Sequence, residues 1–319
     1  MTTIRTPILS FVLRRFSLLT PSIIVRQGNA SMYNFIYNPI AGKGRAQRFR
    51  AEIEPHLKAQ GVSFRFLETT APRDAVRIAK ELTQQGEVDI VVMGGDGTVN
   101  EVLNGLVDPS KVRMGLIPCG SGNDFASAIG IPHTPEGSLE LILNGEAKRT
   151  DYLLCAGVRG LNVIGAGIDV DILKRSYRAK VLRGSLNYLV SLIMSLIHFK
   201  NYSFTAELDG RESKHEGFIV CACNGRRIGG GIPICPDAVC DDGMLDIVIV
   251  DGIRKSMIPG ALIKLLRSQI LKQKYTIHTL APELRARFDR PTTIQIDGEL
   301  YDNLPFDVSV VHDQLRVYR

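Results

Sequence analysis

The sequence predicts an α/β protein in which an open parallel sheet is followed by a second domain of mainly antiparallel strands. Strand-like and helix-like segments alternate from about residue 32 to residue 117, which is the pattern of successive βα units. After about residue 150 the strand-like runs follow one another with few helices between them. A length of 319 residues also favours two domains over one.

Hydrophobic periodicity places the individual elements. Phe49, Ile53 and Leu57 recur every four residues, as on one face of a helix, and the β-branched run over 88–93 ends in glycines, as a central parallel strand does. The predicted strands are 33–37, 62–67, 88–93, 114–117, 161–164, 202–208, 217–223, 245–250, 292–296 and 306–311. The predicted helices are 45–60, 74–85, 98–106, 172–198 and 254–270.

Composition narrows the class of partner. The formal net charge of +6 favours an anionic lipid, a phosphate or a nucleic acid. The basic residues are spread out and no aromatic platform is interleaved with them, so nucleic acid is not expected as a partner. The six cysteines form no C-x-x-C pair, and we expect them to be reduced in a cytoplasmic protein. No apolar run reaches the ~18 residues of a membrane span, so any membrane contact is expected to be peripheral.

Residues 1–31 form a basic extension. They include Arg14 and Arg15, and the first acidic residue of the chain is Glu52. An organelle-targeting presequence, a disordered tail and an upstream extension from a misplaced start codon all remain open for this segment. The expected organisation is therefore the extension, an α/β domain over 32–155 and a β-rich domain over 156–319, whose final strand returns towards the first domain.

Three glycine-rich loops follow strands of the first domain. The first glycine loop covers 38–44, the second 94–98 and the third 118–124. In an open parallel sheet the carboxyl ends of the strands share one edge, so these loops should lie together there. Glycine lets the backbone approach a phosphate closely, and the N–H groups of the following helix then bind the anion. Any one of these loops alone is more often a plain turn, but three on one edge indicate a polyphosphate site.

Side chains in these loops add phosphate and metal chemistry. Thr98 and Ser121 offer hydroxyl donors, and Lys43 or Arg45 offers positive charge. Asp96, between glycines at a strand end, suits a Mg²⁺ ion held against a polyphosphate. The loops match neither the Walker pattern nor the dinucleotide fingerprint.

Five motifs in this order resemble the diacylglycerol kinase catalytic-domain family, which includes bacterial diacylglycerol kinases and the sphingosine and ceramide kinases. The matching segments are YNPIAGKG at 37–44, GGDGTVNEVLNGL at 94–106, IPCGSGNDFASAIGIP at 117–132, CNGRRIGGGIPICPDAVCDDGMLDIVIV at 223–250 and IDGE at 296–299. GGDGT alone also occurs in NAD kinases and phosphofructokinases, but the five together are specific. The basic extension has no counterpart in the family's pattern.

The resemblance implies a nucleotide-binding α/β domain and a β-rich, sandwich-like domain, with the active site in the cleft between them and with ATP and Mg²⁺ as cofactors. It also implies which residues contact ATP. These are Asn38, Pro39, Ile40, Ala41, Gly42, Lys43, Thr69, Gly95, Asp96, Gly97, Thr98, Val99, Asn100, Glu101, Ser121 and Glu299.

A structural Mg²⁺ site is implied at the carboxylate of Asp242 with the carbonyls of Val239 and Met244. A plain D-D-G turn remains the alternative there. Asp297 and Glu299 match the family's catalytic acids, and we expect this pair to accept the proton of a lipid hydroxyl, with Asp96 holding Mg²⁺. The alternative for Asp297 and its neighbours is a simple D-G hairpin turn.

The lipid side is less specific. A basic cluster beginning at Lys174 and Arg175 precedes an apolar helical run up to about residue 200, which suits either an anionic membrane surface or a core helix with a solvated end. The loop over 229–233 is expected to border the acyl-chain entrance or to be a structural turn.

The sequence thus predicts an ATP-dependent lipid kinase that phosphorylates diacylglycerol to phosphatidic acid. Another lipid acceptor, a soluble kinase similar to NAD kinase, and a lipid- or nucleotide-binding regulator without activity remain as alternatives. The oligomeric state is not indicated.

Overall fold

A computed structural model describes residues 32–84, 86–178, 195, 199 and 201–319. The basic extension over 1–31 lies outside the described residues, as does most of the helix predicted over 172–198. The described part is a parallel α/β layer followed by a β-rich half, so the predicted fold class is confirmed.

The first half alternates strands and helices. Its elements are β1 (Tyr33–Tyr37), α1 (Ala41–Ala59), β2 (Phe64–Glu68), α2 (Asp74–Thr83), β3 (Val88–Gly94), α3 (Asp96–Gly105), β4 (Val112–Pro118), α4 (Asp124–Ala128) and α5 (Pro135–Asn144).

The second half is mainly strands. Its elements are β5 (Ala147–Cys155), β6 (Val158–Gly160), β7 (Val163–Gly167), α6 (Ile168–Arg178), β8 (Tyr202–Leu208), β9 (Arg211–Cys223), β10 (Leu245–Asp251), α7 (Ile258–Leu266), β11 (Thr276–Ala281), β12 (Glu283–Phe288), β13 (Thr293–Ile296), β14 (Glu299–Asp302) and β15 (Phe306–Tyr318).

The parallel sheet of the first half has the strand order β2-β1-β3-β4. Successive residues of β3 enter different cores. Ile90 and Val92 pack with α2 and α3, whereas Val91 and Met93 pack with α1 and α5 on the other face. Burial on both faces explains why this strand reads as a continuous apolar run rather than an alternating one.

The second half is antiparallel and holds a core on each face of β9. Val220 and Ala222 face one cluster, and Cys221 and Cys223 face the other. The pairings β7–β9, β8–β9, β9–β10 and β10–β11 are all antiparallel. The cluster containing Cys221 is also packed by apolar residues of α6 and α7.

The last strand joins the two halves into one sheet. β15 pairs antiparallel with β5 along most of its length and with β12 near its start. Near its end Arg316 and Val317 pair in parallel with Arg113 and Met114 of β4. The C-terminal strand therefore extends the parallel sheet of the first half.

A buried charge pair fixes this junction. The carboxylate of Asp89, on β3, has no exposed side-chain surface and accepts from Arg113 Nε at 2.6 Å and Nη2 at 2.7 Å. The Tyr318 hydroxyl of β15 donates to the same carboxylate at 2.7 Å, and Asn34 of β1 donates to the Asp89 carbonyl at 3.0 Å. Four strands are thus held in register at one residue.

Some predicted boundaries are wrong. The strand predicted over 161–164 is interrupted by a bend at Leu161 and Asn162, where the backbone N–H groups bind a carboxylate instead of a neighbouring strand. The helix predicted over 254–270 shortens to the nine residues of α7, because Pro259 fits the first turn and Ser268 takes a positive φ of 56° just after its end. Strands β5, β6, β11, β12 and β14 were not predicted.

We expect Arg113→Met to lower the free energy of unfolding by about 2 kcal/mol, because it leaves the Asp89 carboxylate buried without its cation. The value is discounted from the usual range because about a third of the Arg113 side chain is exposed. Urea denaturation measures it. Arg316→Met is the matched control, since Arg316 is the exposed register partner of Arg113 and should change stability by under about 0.5 kcal/mol. Equal losses in the two variants would contradict the prediction.

Candidate active-site cleft

The three glycine loops lie against one another at the carboxyl edge of the parallel sheet. A Cβ added to Gly42 would lie 1.9 Å from the Cys119 carbonyl oxygen, and one added to Gly120 would lie 2.6 Å from the Gly95 Cα. Gly42 also has a positive φ of 57°. Backbone packs directly on backbone here, which explains why glycine occupies these positions.

Asp96 connects the second glycine loop to the third. Its Oδ2 accepts from the Asn123 N–H at 2.7 Å and its Oδ1 from the Phe125 N–H at 3.4 Å. Burial raises the pKa of Asp96, and these N–H groups act against the rise. The N–H groups of Asp96 itself and of Asp124 act in the same direction, and the carboxylate lies at the N-terminus of α3, where negative charge is favoured. A carboxylate oxygen is also a ligand that Mg²⁺ prefers. The residue therefore fits both a structural role and Mg²⁺ binding.

The third loop in turn contacts the second half of the chain. Asn123, at a positive φ of 56°, accepts from the Gly120 N–H and donates to the Gly120 carbonyl. Asp124 accepts from the Gly230 N–H at 2.8 Å. Burial raises the pKa of Asp124 to about 6, the Gly230 N–H opposes the rise, and the charge of Asp96 adds to it. The cleft is closed at this point by a hydrogen bond between the two halves.

The first glycine loop carries the basic side chains. Lys43 is exposed at a positive φ of 61°. Arg45, expected as a phosphate ligand, donates instead to the Gly120 carbonyl at 3.1 Å and so ties the first loop to the third. Asn38 accepts from the Ile40 N–H at 3.2 Å.

Other residues expected to contact ATP lie around the same edge. Thr69 is buried and its N–H donates to the Tyr37 carbonyl. Thr98 is buried against Gly94, and Ser121 is exposed. Glu101 accepts from the Arg73 N–H at 3.2 Å.

Asn100 makes contacts that the sequence did not indicate. Its amide donates to the Arg159 carbonyl at 3.1 Å and to Asp297 Oδ2 at 3.2 Å. One turn further along α3, Asn104 also donates to the Arg159 carbonyl, at 2.9 Å. Asp96 and Asn100 are four residues apart on α3 and share a face. This contact therefore brings Asp297 within about one helical turn of the second glycine loop.

The Asp297 carboxylate is surrounded by donors. Besides Asn100, the N–H groups of Leu161, Asn162 and Val163 donate to it at 2.6, 2.8 and 3.1 Å. Burial raises the pKa of Asp297 and these donors act against the rise. Glu299, two residues on, is exposed and accepts no hydrogen bond within the part of the chain that the structure describes. The two acids that the sequence pairs thus have different surroundings.

The turn that contains Asp242 lies between β9 and β10 and not in the glycine loops. Asp242 is exposed and its Oδ1 accepts from the Met244 N–H at 3.0 Å, as in a plain D-D-G turn. The neighbouring Gly243 N–H donates at 2.8 Å to buried Asp151 of β5, which also binds His312. A carboxylate with the carbonyls of Val239 and Met244 is nevertheless an oxygen donor set that fits Mg²⁺.

A mixed donor cluster lies on the second-half sheet. The donor atoms of Cys235, Asp246 and His278 fall within 4.8 Å of one another, and His278 Nε2 is 2.6 Å from Asp246 Oδ1. Sulfur and imidazole ligands suit transition metals better than Mg²⁺, so this cluster does not match the expected cofactor.

A cavity of about 60 Å³ opens between α6, β9, β10 and α7. Of the described residues that line it, Asp169 alone is polar. Asp169 is 1 % exposed and neither carboxyl oxygen has a hydrogen-bond partner. Burial raises the pKa of Asp169 to about 7, with the nearby Val170 N–H and Gln295 amide acting against the rise.

The glycine turn over 229–231 connects this cavity to the glycine loops. Ile228 and Ile232 close the turn with two backbone hydrogen bonds of 2.9 Å, and both side chains line the cavity. At its tip Gly230 donates to Asp124 of the third glycine loop. The polar and apolar parts of the cleft therefore meet at one turn.

Sequence reasoning missed the site roles of Asn123, Asp124 and Asp169. Asn123 and Asp124 lie in the motif at 117–132, and their position after glycines at a strand end could have indicated a role in the site. Asp169 carried no such signal, since an acid between a strand and a helix is ordinary and only the fold places it in a cavity.

Two family models match most of the chain. The diacylglycerol kinase catalytic domain matches residues 32–155, and the YegS C-terminal NAD kinase beta sandwich-like domain matches residues 162–319. In the described residues, no helix is both long and apolar enough to cross a membrane.

Relatives match over nearly their whole length. A protein named diacylglycerol kinase from Bacillus subtilis (strain 168) is 27% identical, covering 85% of this chain and 90% of the relative. A protein named probable lipid kinase YegS-like from Xanthomonas campestris pv. campestris (strain 8004) is 31% identical, covering 82% of this chain and 88% of the relative. A crystal structure of a diacylglycerol kinase from Bacillus anthracis str. Sterne, 23% identical, shares the fold with a TM-score of 0.71 over 92% of this chain and 98% of that one.

We expect Asp169→Asn to stabilise the protein more at high pH than at low pH. The pKa rises from 3.8 to about 7 on folding, so the folded state resists ionisation and loses stability as the pH rises from about 4 to about 7. Urea denaturation at about pH 5 and about pH 8 should show a gain from the variant that is larger by about 2 to 3 kcal/mol at the higher pH.

Asp237→Asn is the control for this prediction, because Asp237 is exposed. Its effect on the free energy of unfolding should be the same at both pH values. A gain for Asp169→Asn that did not grow with pH would show that the carboxyl is not isolated in the cavity.

Proposed function

Because this chain belongs to the lipid kinase family that joins a diacylglycerol kinase catalytic domain to a YegS-type C-terminal domain, we propose that it transfers the γ-phosphate of ATP to the hydroxyl of diacylglycerol. The product is then phosphatidic acid. The family supplies the reaction class, and the relative named diacylglycerol kinase supports the choice of acceptor.

One observation supports a lipid as the acceptor of the phosphate. The glycine turn over 229–231 contacts the third glycine loop through Gly230 on one side and lines the apolar cavity through Ile228 and Ile232 on the other. An acyl chain in the cavity would leave its glycerol hydroxyl beside the loops that hold the phosphates. The apolar lining of this cavity suits part of an acyl chain and offers little to a sugar or nucleoside acceptor.

The nucleotide contacts remain as the motifs indicate. We assign the phosphates of ATP to the first and second glycine loops and to Ser121, with Thr69 and Glu101 at their edge. The N-terminus of α3 points its free N–H groups into this space and favours anions. Bound at Asp96, Mg²⁺ would neutralise the charge of the transferring phosphate. Asp242, with the carbonyls of Val239 and Met244, would hold a second, structural Mg²⁺.

We assign the general base to Glu299 rather than to an equal pair with Asp297. A base needs a free lone pair directed at the acceptor hydroxyl. Asp297 accepts four N–H donors, whereas Glu299 is exposed and accepts none in the described residues. Asp297 then holds the β13–β14 hairpin against α3 and so positions Glu299.

In the proposed reaction the Glu299 carboxylate takes the proton of the glycerol hydroxyl. The hydroxyl oxygen forms a bond to the γ-phosphorus as the bond to the β-phosphate oxygen breaks, and ADP leaves with the electron pair. Most of the catalytic effect comes from positioning and charge neutralisation, since phosphoryl transfer requires little covalent chemistry from the protein.

The acceptor is tested by offering labelled ATP and Mg²⁺ with a panel of diacylglycerol, ceramide, a sphingoid base, phosphatidylglycerol and NAD. Label in phosphatidic acid supports the proposal. Label only in another lipid would replace the acceptor, and label in NAD alone would favour the soluble alternative that the description of the C-terminal domain suggests. ATP binding without any transfer would favour a regulator.

Ala261→Phe tests the cavity within that panel. Ala261 lines the cavity from α7, so the added ring should fill it and raise KM for long-chain diacylglycerol about tenfold or more. KM for ATP should not change. Leu262→Met keeps the volume of a neighbouring lining residue and should behave as the parent. An unchanged KM for lipid in Ala261→Phe would remove the cavity from the acceptor site.

Glu299→Gln tests the base. We expect it to lower kcat by about 10²- to 10⁴-fold while leaving the urea midpoint unchanged, because the side chain is exposed. Asp297→Asn should lower both, since an amide cannot accept all four donors. Glu283→Gln, on β12, serves as the control and should be neutral. Full activity in Glu299→Gln would return the role of base to Asp297.

A further inference from the structure

Helix α7 is apolar on both of its faces. Ile258, Ala261, Leu262 and Leu265 line the cavity, at the spacing of one helical face. This inner face is expected of any helix that covers a core. Apolar residues on the outer face as well are expected only for a helix that is buried on all sides or that contacts a second apolar medium.

The outer face is uncovered in the described structure. Ile263 and Leu266 are each 50% exposed and lie three residues apart on adjacent turns, and Met257 just before the helix is 40% exposed. Isolated exposed apolar residues are common, but two on one short helix and a third just before it, over an apolar cavity, form a patch that indicates an interaction site.

This patch lies within a strongly basic segment. Residues 252–282 contain six Lys and Arg and no acidic residue. The described side chains of this set are all exposed, and none of them forms an ion pair with a described residue. They are Arg254, Lys264, Arg267, Lys272 and Lys274.

Two exposed cations of β12 are, in contrast, neutralised by neighbouring acids. Arg285 and Arg287 of β12 both pair with Glu207, and each has at least one further acidic partner. The exposed cations around α7 have no such partner among the described residues, and they accompany the apolar patch. A surface of this composition is complementary to anionic headgroups above an apolar layer.

We propose that α7, with Met257 before it and the basic residues up to Lys274 after it, is a docking surface for an anionic lipid bilayer. The inference rests on the proposed lipid kinase function. Met257, Ile263 and Leu266 enter the acyl layer and the cations contact the headgroups. Because the opposite face of α7 lines the cavity, docking places the cavity wall against the membrane, and the acceptor lipid reaches the site without crossing water.

This surface is separate from the segment over 174–200, for which the sequence left membrane contact and a core helix open. Most of that segment lies outside the described residues. Helix α6, which leads into that segment, supplies Ile168 and Ile172 to the lining of the same cavity. Docking through α7 therefore depends on residues that are not part of the other segment.

The test is flotation of the full chain with phosphatidylcholine vesicles, with and without phosphatidylserine, in the absence of ATP. The parent should bind only the anionic vesicles, and less so as salt rises. Lys264→Gln with Arg267→Gln should weaken binding about 25-fold, at about fivefold per cation. Ile263→Gln with Leu266→Gln should weaken it about tenfold or more.

Two matched controls are available. Arg285→Gln with Arg287→Gln removes exposed cations that are already paired, and Val107→Gln removes an apolar side chain that is 53% exposed on the first half. Both should bind vesicles as the parent does. Phosphorylation of dispersed dioctanoylglycerol should be unchanged in the α7 variants, because their side chains face away from the cavity.

Either of two results overturns the docking surface: a parent that does not bind anionic vesicles, or α7 variants that bind as tightly as the parent. A concentration-dependent dimer that Ile263→Gln with Leu266→Gln dissociates, with vesicle binding unchanged, would assign the patch to a second copy of the chain instead. Failure of the proposed function looks different, since no lipid is then phosphorylated by the parent, whatever its vesicle binding.

Discussion

The carboxylate of Asp297 is the contact on which the cleft depends. It accepts the backbone N–H groups of three consecutive residues at the start of β7 and one amide N–H of α3. A single side chain therefore joins the β13–β14 hairpin, β7 and α3. These N–H groups cannot enter a sheet ladder, which explains the bend at Leu161 and Asn162. In the proposed function the same contact positions Glu299 while leaving its carboxylate without a hydrogen bond to a described residue.

Around this contact the protein keeps several acids in places that disfavour their charge. Burial raises the pKa of Asp96, Asp124, Asp169 and Asp297, and most of them are held by backbone N–H groups rather than by Lys or Arg. Such clusters are costly for stability and common at functional sites. Mg²⁺ bound at Asp96, as proposed, would lower that cost at Asp96 and at Asp124, whose pKa the charge of Asp96 raises. Nucleotide binding and closure of the cleft at Gly230 would then support each other.

Several elements of the second half surround one apolar cavity. Its sheet provides the floor, α6 and α7 provide the walls, and the glycine turn over 229–231 connects the cavity to the phosphate loops. Helix α7 separates this cavity from the surroundings with an apolar side chain pattern on both faces. In the proposed function an acyl chain would contact the inner face, and the proposed docking would place the outer face against the bilayer.

The sequence by itself determined the parallel sheet, the three glycine loops at its carboxyl edge and the reaction class, because these depend on local periodicity and on motifs that are contiguous in the chain. The tertiary structure decided that Asn100 bridges to Asp297, that Asp169 lies in an apolar cavity, and that β15 pairs with both halves. Each of these contacts joins segments far apart in the chain, and no local propensity distinguishes an Asp in a turn from an Asp that gathers four donors. Long-range packing alone sets such environments, which is why the candidate site could be located from the motifs but the roles of its acids could not.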